Sequence, residues 1–260
     1  MGNLVERERD GEVVILVLNA PERRNALSVP GRQMLLALLR ECVEDTSCRG
    51  IVLTGAGGQF CSGGEVKPGK GAEPPDPART RRNMTVLHDI VRILAAGPKP
   101  CVAAVDGAAY GAGMSLAAAC DHVVVSPSAK FCASFGKVGL MADAGLLWSL
   151  PNRISLGAAR DLLLTARVVE ATEALQLGLA EEMAGEGEAL AAAVRVAHGL
   201  SRLAPLPVAA MKGILARGPA SLESVIAAES DLQPMLTMSQ DYVEGRAAFK
   251  ERRAPNFRGV

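Results

Sequence analysis

The feature that most constrains this chain is an alternation of short apolar strands with helical segments, two of the junctions being rich in glycine. Glu12–Asn19 (EVVILVLN), Gly50–Thr54, Cys101–Val105 and His122–Val125 read as strands, because short β-branched runs bounded by turn residues favour extended backbone. Between them, Ser28 precedes a run whose leucines at 35, 36, 38 and 39 and Val43 suit one helix face, and Thr80–Ala96 predicts a second helix. GAGMSLAAAC, from Gly111 to Cys120, reads as a buried helix of small residues. Strands alternating with helices in this way predict an α/β layered domain. Lys67–Arg79 (KPGKGAEPPDPAR) lacks either period and reads as an exposed loop. Beyond Ile154 only helical patterns are visible, including Ala171–Leu177 and Glu188–Leu203. The expected organisation is an α/β core over residues 1–195 and a helical C-terminal region over residues 196–260.

Composition narrows the functional classes. Lys+Arg 28 against Asp+Glu 28 gives no net charge, which removes the long-range attraction that nucleic acid or an anionic membrane surface requires. Aromatic residues are 3% of the chain, too few for a base-stacking surface. The six cysteines (Cys42, Cys48, Cys61, Cys101, Cys120, Cys132) show no C-x-x-C and no Cys/His ligand spacing, so neither a redox motif nor a metal site is expected. No apolar stretch has the length of a membrane span, and the first residues lack the apolar core of a signal peptide. The expected location is the cytoplasm.

Two glycine-bearing segments each follow a predicted strand and precede a helix: Cys61-Ser62-Gly63-Gly64-Glu65 and Tyr110-Gly111-Ala112-Gly113-Met114. Such junctions present unpaired backbone N–H groups and a positive dipole end. Two of them can aim two N–H groups at one oxygen, as an oxyanion hole requires, or they can be two tight packing turns. A dinucleotide site is excluded, since Gly55-Ala56-Gly57-Gly58-Gln59-Phe60 breaks the G-x-G-x-x-G spacing and no acidic residue ends a following strand. Gly113-Met114-Ser115-Leu116-Ala117 imitates a G-x-S-x-G elbow, which would make a hydrolase only with a histidine partner. The candidates are His88, His122 and His198; the first and last lie on predicted helices, and His122 opens a strand.

PERRNALS (21–28), LTGAGGQFCSGGE (53–65), PKPCVAAVDGAAYGAGMSLAAACD (98–121), KVGL…AG (137–145) and YVEGRAAFKERRAPNF (242–257) resemble the crotonase, or enoyl-CoA hydratase/isomerase, superfamily. The resemblance implies a crotonase-like spiral core of repeated ββα units, a C-terminal helical trimerisation region, and a homo-oligomer built as a trimer or dimer of trimers. It implies acyl-CoA thioester substrates, coenzyme A entering as part of the substrate, and no catalytic cofactor. The family's oxyanion hole falls on the N–H groups of Gly64 and Ala112. Arg24, Ala26 and Leu27 fall where the family cradles coenzyme A, with Ser62, Gly63 and Gly113 on the same loops. Phe249 and Lys250 match a helix that meets coenzyme A from a neighbouring subunit; ordinary helix packing is the other reading. Val66 and Tyr110 are expected to wall the acyl pocket, under the loop at 67–79. Glu65, where the family has aspartate, is expected to serve as a cap or ion pair.

The departures from the family pattern are informative. Ser115 and Phe135 occupy the places of the two glutamates that family hydratases use on water, and neither can act as a carboxylate. Asp143, in Met141-Ala142-Asp143-Ala144-Gly145, resembles the P-D-x-G-G stretch of family members that move double bonds, including the ring-opening isomerases of phenylacetate breakdown. Ala142 and Leu146 depart from that stretch. Asp143 is therefore expected either to act as the base or to cap a helix beginning near Ala144. The expected activity is a double-bond shift. The alternatives are hydration with atypical acids, thioester binding with little catalysis, and thioester hydrolysis.

Overall fold

Val13–Leu18 forms the strand β2, and its alternation explains the layering: Val14, Leu16 and Leu18 enter one apolar cluster while Val13 and Ile15 enter another. A strand apolar on both faces belongs inside a sheet covered on both sides. The computed structural model describes residues 3–65, 76–218 and 221–260. Val5–Asp10 (β1) pairs antiparallel with β2 across a two-residue turn at Gly11 and Glu12, where Gly11 takes φ 55°. β1 reads VERERD and is exposed after its first residue, as suits a charged edge strand. Gly50–Gly55 (β3), Cys101–Val105 (β4), His122–Val125 (β6) and Glu182–Met183 (β9) continue the sheet in parallel, in the order β1-β2-β3-β4-β6-β9.

Successive turns of the chain also feed a second, smaller sheet. Ala108–Tyr110 (β5) pairs parallel with Lys130–Cys132 (β7), and Val169–Glu170 (β8) joins antiparallel. Cys61 extends this sheet through a single parallel bridge to Ala109. β4 and β6 thus stack in one wall while β5 and β7 stack in the other, which is the α/β spiral. Val29–Glu44 (α1), Pro77–Ala96 (α2) and Ala112–Ala119 (α3) supply Leu35, Leu39, Leu87, Ile90, Leu94, Met114 and Leu116 to the main core. Ser28 caps α1, accepting from Gly31 N at 3.2 Å. Ala189–Ser201 (α7) packs on the opposite face of the large sheet through Ala193 and Ala197. Leu146–Arg153 (α4), Leu156–Thr165 (α5) and Ala171–Leu177 (α6) follow the small sheet. Pro205–Leu215 (α8), Leu222–Leu236 (α9) and Gln240–Glu251 (α10) form the C-terminal region.

Several expectations are corrected. Two short strands, β8 and β9, lie beyond Ile154; each has two residues, too few to print an alternation. The second helix begins at Pro77, capped by Asp76, whose side chain accepts from Ala78 N and Arg79 N. The end of the expected 67–79 loop is therefore helical, and residues 67–75 lie outside the described residues. The boundary expected at 195/196 falls within α7. All six cysteines are buried and unbridged. No helix among the described residues is long and apolar enough to cross a membrane.

Candidate active site

The site is assembled from backbone brought together by small residues. After the helical turn Pro21–Arg23, Arg24 and Asn25 both take left-handed conformations, at φ 51° and 55°. The Asn25 side chain is spent on holding this turn: Oδ1 accepts from Ala20 N at 2.9 Å, and Nδ2 donates to Ala56 O and Gln59 O at 2.9 and 2.5 Å. This clamp lays Leu27 along the first glycine loop. Leu27 N donates to Gly63 O at 2.8 Å and Glu65 N donates to Leu27 O at 3.4 Å. That pattern turns the intervening Gly64 N–H away, and it donates to no group among the described residues.

The second glycine loop packs against the first almost backbone to backbone. Cys61 N donates to Ala108 O and Tyr110 N to Cys61 O, at 2.8 and 2.9 Å. A Cβ on Gly113 would stand 2.2 Å from Cys61 O, and one on Gly63 would stand 2.9 Å from Tyr110 O and 3.5 Å from Ala112 N. Only glycine permits such an approach. Gly111, at φ 51°, turns the chain into α3, whose first N–H, on Ala112, also finds no acceptor among the described residues. Two unspent donors thus stand on touching loops, one of them at a helix N-terminus.

Asp143 stands against the same loops. Ala144 and Gly145 are left-handed in succession, at φ 49° and 72°; for alanine that conformation costs roughly 1 kcal/mol. Ser115, fully buried on α3, donates its hydroxyl to Asp143 O at 3.1 Å or Gly111 O at 3.3 Å. α4 begins at Leu146, its cap is Gly145, and no side chain caps it. The capping reading of Asp143 is therefore corrected. Its Oδ1 is buried without a hydrogen-bond partner. Burial pushes the carboxyl up from the ordinary aspartate value, while the Arg32 guanidinium and His88 imidazole pull it down. A carboxylate raised in this way is suited to take a proton from carbon.

The remaining expected residues divide. Phe135, buried, lies with Cζ 4.0 Å from where a Cβ on Gly111 would be. Arg24 O accepts from Ser62 N at 2.9 Å, Ser62 Oγ donates to Arg23 O at 3.2 Å, and Glu65 pairs with Arg23 at 2.9 Å. Glu65 is thus an ion-pair partner. Arg24, Ala26, Leu27, Ser62, Gly63, Tyr110 and Gly113 come together on the clamped loops, whereas Val66 lies outside the described residues. Phe249 and Lys250 sit on α10; Phe249 is 88% exposed and lines a groove with Pro207, Tyr242 and Phe257, none of them on the loops of the site. Ser115 has no histidine partner among the described residues, so the elbow-like motif does not form a nucleophile pair. Sequence reasoning passes over Asn25 and Arg32, and weighs His88 only as a partner for Ser115. His88 is half-buried and stands three residues before the buried Val91 on α2, a spacing that could have placed it beside the apolar stripe.

Comparison with known proteins identifies the family and the fold. The enoyl-CoA hydratase/isomerase family profile matches residues 8–260. An Escherichia coli 1,2-epoxyphenylacetyl-CoA isomerase is 33% identical over 251 residues, covering 95% of both chains. A carnitinyl-CoA dehydratase from Proteus mirabilis is 31% identical over 258 residues, covering 96% of both. Among solved structures, an enoyl-CoA hydratase from Polaromonas sp. JS666 superposes with a TM-score of 0.91 at 33% identity, over 97% of this chain and 99% of that one.

Proposed function

The chain belongs to the enoyl-CoA hydratase/isomerase family, and from that premise we propose that it shifts a double bond in an acyl-CoA thioester, converting a 3-enoyl to a 2-enoyl thioester. The thioester oxygen accepts hydrogen bonds from Gly64 N–H and Ala112 N–H. These donors stabilise the dienolate formed when C2 loses a proton, and removing one such donor typically costs about 3–4 kcal/mol of barrier. Asp143 takes the C2 proton and returns it to C4. One carboxylate suffices, because the group that accepts the proton is the group that gives it back. Ser115 positions Asp143 through its backbone carbonyl. Coenzyme A runs along the turn at Arg24, Ala26 and Leu27.

The observation that carries this reading is the unpartnered Asp143 Oδ1, buried beside two touching loops that each hold an unspent N–H. Addition of water by the usual family route asks for two carboxylic groups, and Ser115 and Phe135 supply neither. The test is incubation with a 3-enoyl-CoA, read by absorbance and mass together. The expected result is conjugated-enoyl absorbance rising at constant mass; gain of one water would replace the isomerase reading with a hydratase one. We also infer a homo-oligomer. α9 buries none of its residues within one chain, and Leu222, Ile226, Met235, Val243 and Phe249 are exposed on the C-terminal helices. Sedimentation at the mass of a single chain would refute this.

A further inference from the structure

The proposed mechanism leaves Arg32 unused. It lies in the first turn of α1, with its backbone N–H on Ser28 O at 2.9 Å and its side-chain Nε on Leu27 O at 3.2 Å. Both anchors belong to the stretch that pairs with the Gly64 loop through the Leu27–Gly64 bridge, so the guanidinium is fixed relative to the oxyanion donors. Its Nη2 is the atom that a Cβ on Gly64 would meet, at 3.1 Å. Arg32 is half-buried, yet its Nη atoms make no hydrogen bond or ion pair among the described residues. It faces Asp143 electrostatically, but no ion pair within 4.0 Å forms between them, and Asp143 Oδ1 is itself unpartnered. An arginine present to hold Asp143 would be bonded to it. This one is close to the reacting end and uncommitted.

A neutral acyl chain laid over this guanidinium would strip water from it and return nothing, which is costly for a charged group. An anionic oxygen group would be met by the free Nη donors with charge-assisted bonds, and a carboxylate matches the planar fork. We propose that Arg32 is a specificity residue for a carboxylate on the acyl portion, so that the substrates are acyl-CoA thioesters of dicarboxylic acids. The inference rests on the thioester-binding part of the proposed function and sharpens its substrate class.

Binding of saturated thioesters separates recognition from turnover. Calorimetric affinities would be measured for pentanoyl-CoA and glutaryl-CoA, which share a chain length, with succinyl-CoA and adipoyl-CoA to vary where the carboxylate falls. The wild type is expected to bind at least one dicarboxylic thioester about tenfold or more tightly than pentanoyl-CoA, as a charge-assisted pair implies. Arg32→Gln should bring that ratio to about one, and Arg32→Lys should keep part of it. Acyl-pantetheine thioesters, which lack the nucleotide phosphates, should show the same preference; a preference lost with the phosphates would assign Arg32 to coenzyme A and overturn the inference. A wild-type ratio of one or less across the series, or a preference that survives Arg32→Gln, would also overturn it. A protein that prefers dicarboxylic thioesters but moves no double bond refutes the isomerase reading and keeps this one. Isomerisation without the preference does the reverse.

Discussion

Replacing Asp143 with asparagine should abolish turnover while making the protein more stable. The carboxyl is partly withdrawn from water, one oxygen has no hydrogen-bond partner, and burial raises its pKa. In the unfolded chain the group ionises near 3.8. Because the folded value is the higher one, Asp143 subtracts stability wherever the unfolded chain is ionised, and the penalty fades as pH falls through the folded value. Asparagine keeps the unpartnered oxygen but carries no charge to desolvate. Attraction to Arg32 and His88 offsets part of the cost of burying that charge, so Asp143→Asn should gain about 1 kcal/mol near pH 7, or about 2 °C in Tm for a chain of this size. The gain should vanish below about pH 4. Loss of the base should lower kcat by roughly 10²–10⁴-fold. Urea unfolding at pH 7 and pH 4, with isomerisation rates on the same samples, tests both halves. A variant that is destabilised and turns over normally would refute the reasoning and make Asp143 structural.

Other sites give independent tests. Gly113→Ala places a Cβ 2.2 Å from Cys61 O, a backbone atom of the adjoining loop, and should cost at least about 3 kcal/mol in urea unfolding; a near-neutral effect would mean the loops are not in contact. Asn25→Ala leaves Ala20 N, Ala56 O and Gln59 O without their partner and puts alanine at φ 55°. A loss of about 2–4 kcal/mol is expected, with a raised KM for the thioester as the Leu27 stretch loosens. Lys212, buried on α8, pairs with Asp121 and donates to Leu94 O and Lys99 O at 3.0 and 2.9 Å. Lys212→Met should cost about 2–3 kcal/mol by leaving the Leu94 and Lys99 carbonyls without their donor, which thermal unfolding would register; a stabilised variant would show that these bonds are dispensable.

Much of the scaffold was legible because burial writes a period into the chain. β4 and β6 occupy the predicted residues, and β2, β3 and α1 differ from prediction only at their ends. β1 was illegible because five of its six residues face solvent and are charged, and an edge strand needs only one buried anchor, here Val5. β5, β7, β8 and β9 have two or three residues each, and their pairing is set by the winding of the spiral. The glycine loops could be found from residue type, since close approach demands glycine. What sequence could not show is that Gly64 and Ala112 keep their N–H groups unspent, or that α4 begins too late for Asp143 to cap it. The clamp at Asn25 and the placement of Arg32 beside Gly64 depend on contacts between segments distant in the chain, and no local pattern encodes them.

The most direct test of the central claim is hydrogen exchange at C2 of a 3-enoyl-CoA in heavy water, followed by mass and proton resonance in wild type and Asp143→Asn. The proton held on Asp143 is expected to exchange in part with solvent before its return, so wild type should incorporate some deuterium at C2 of recovered substrate and C4 of product and add no D₂O, while the variant should incorporate none above the uncatalysed rate. Exchange continuing in the variant at the wild-type rate, or a wild-type product carrying one added D₂O, would contradict the claim.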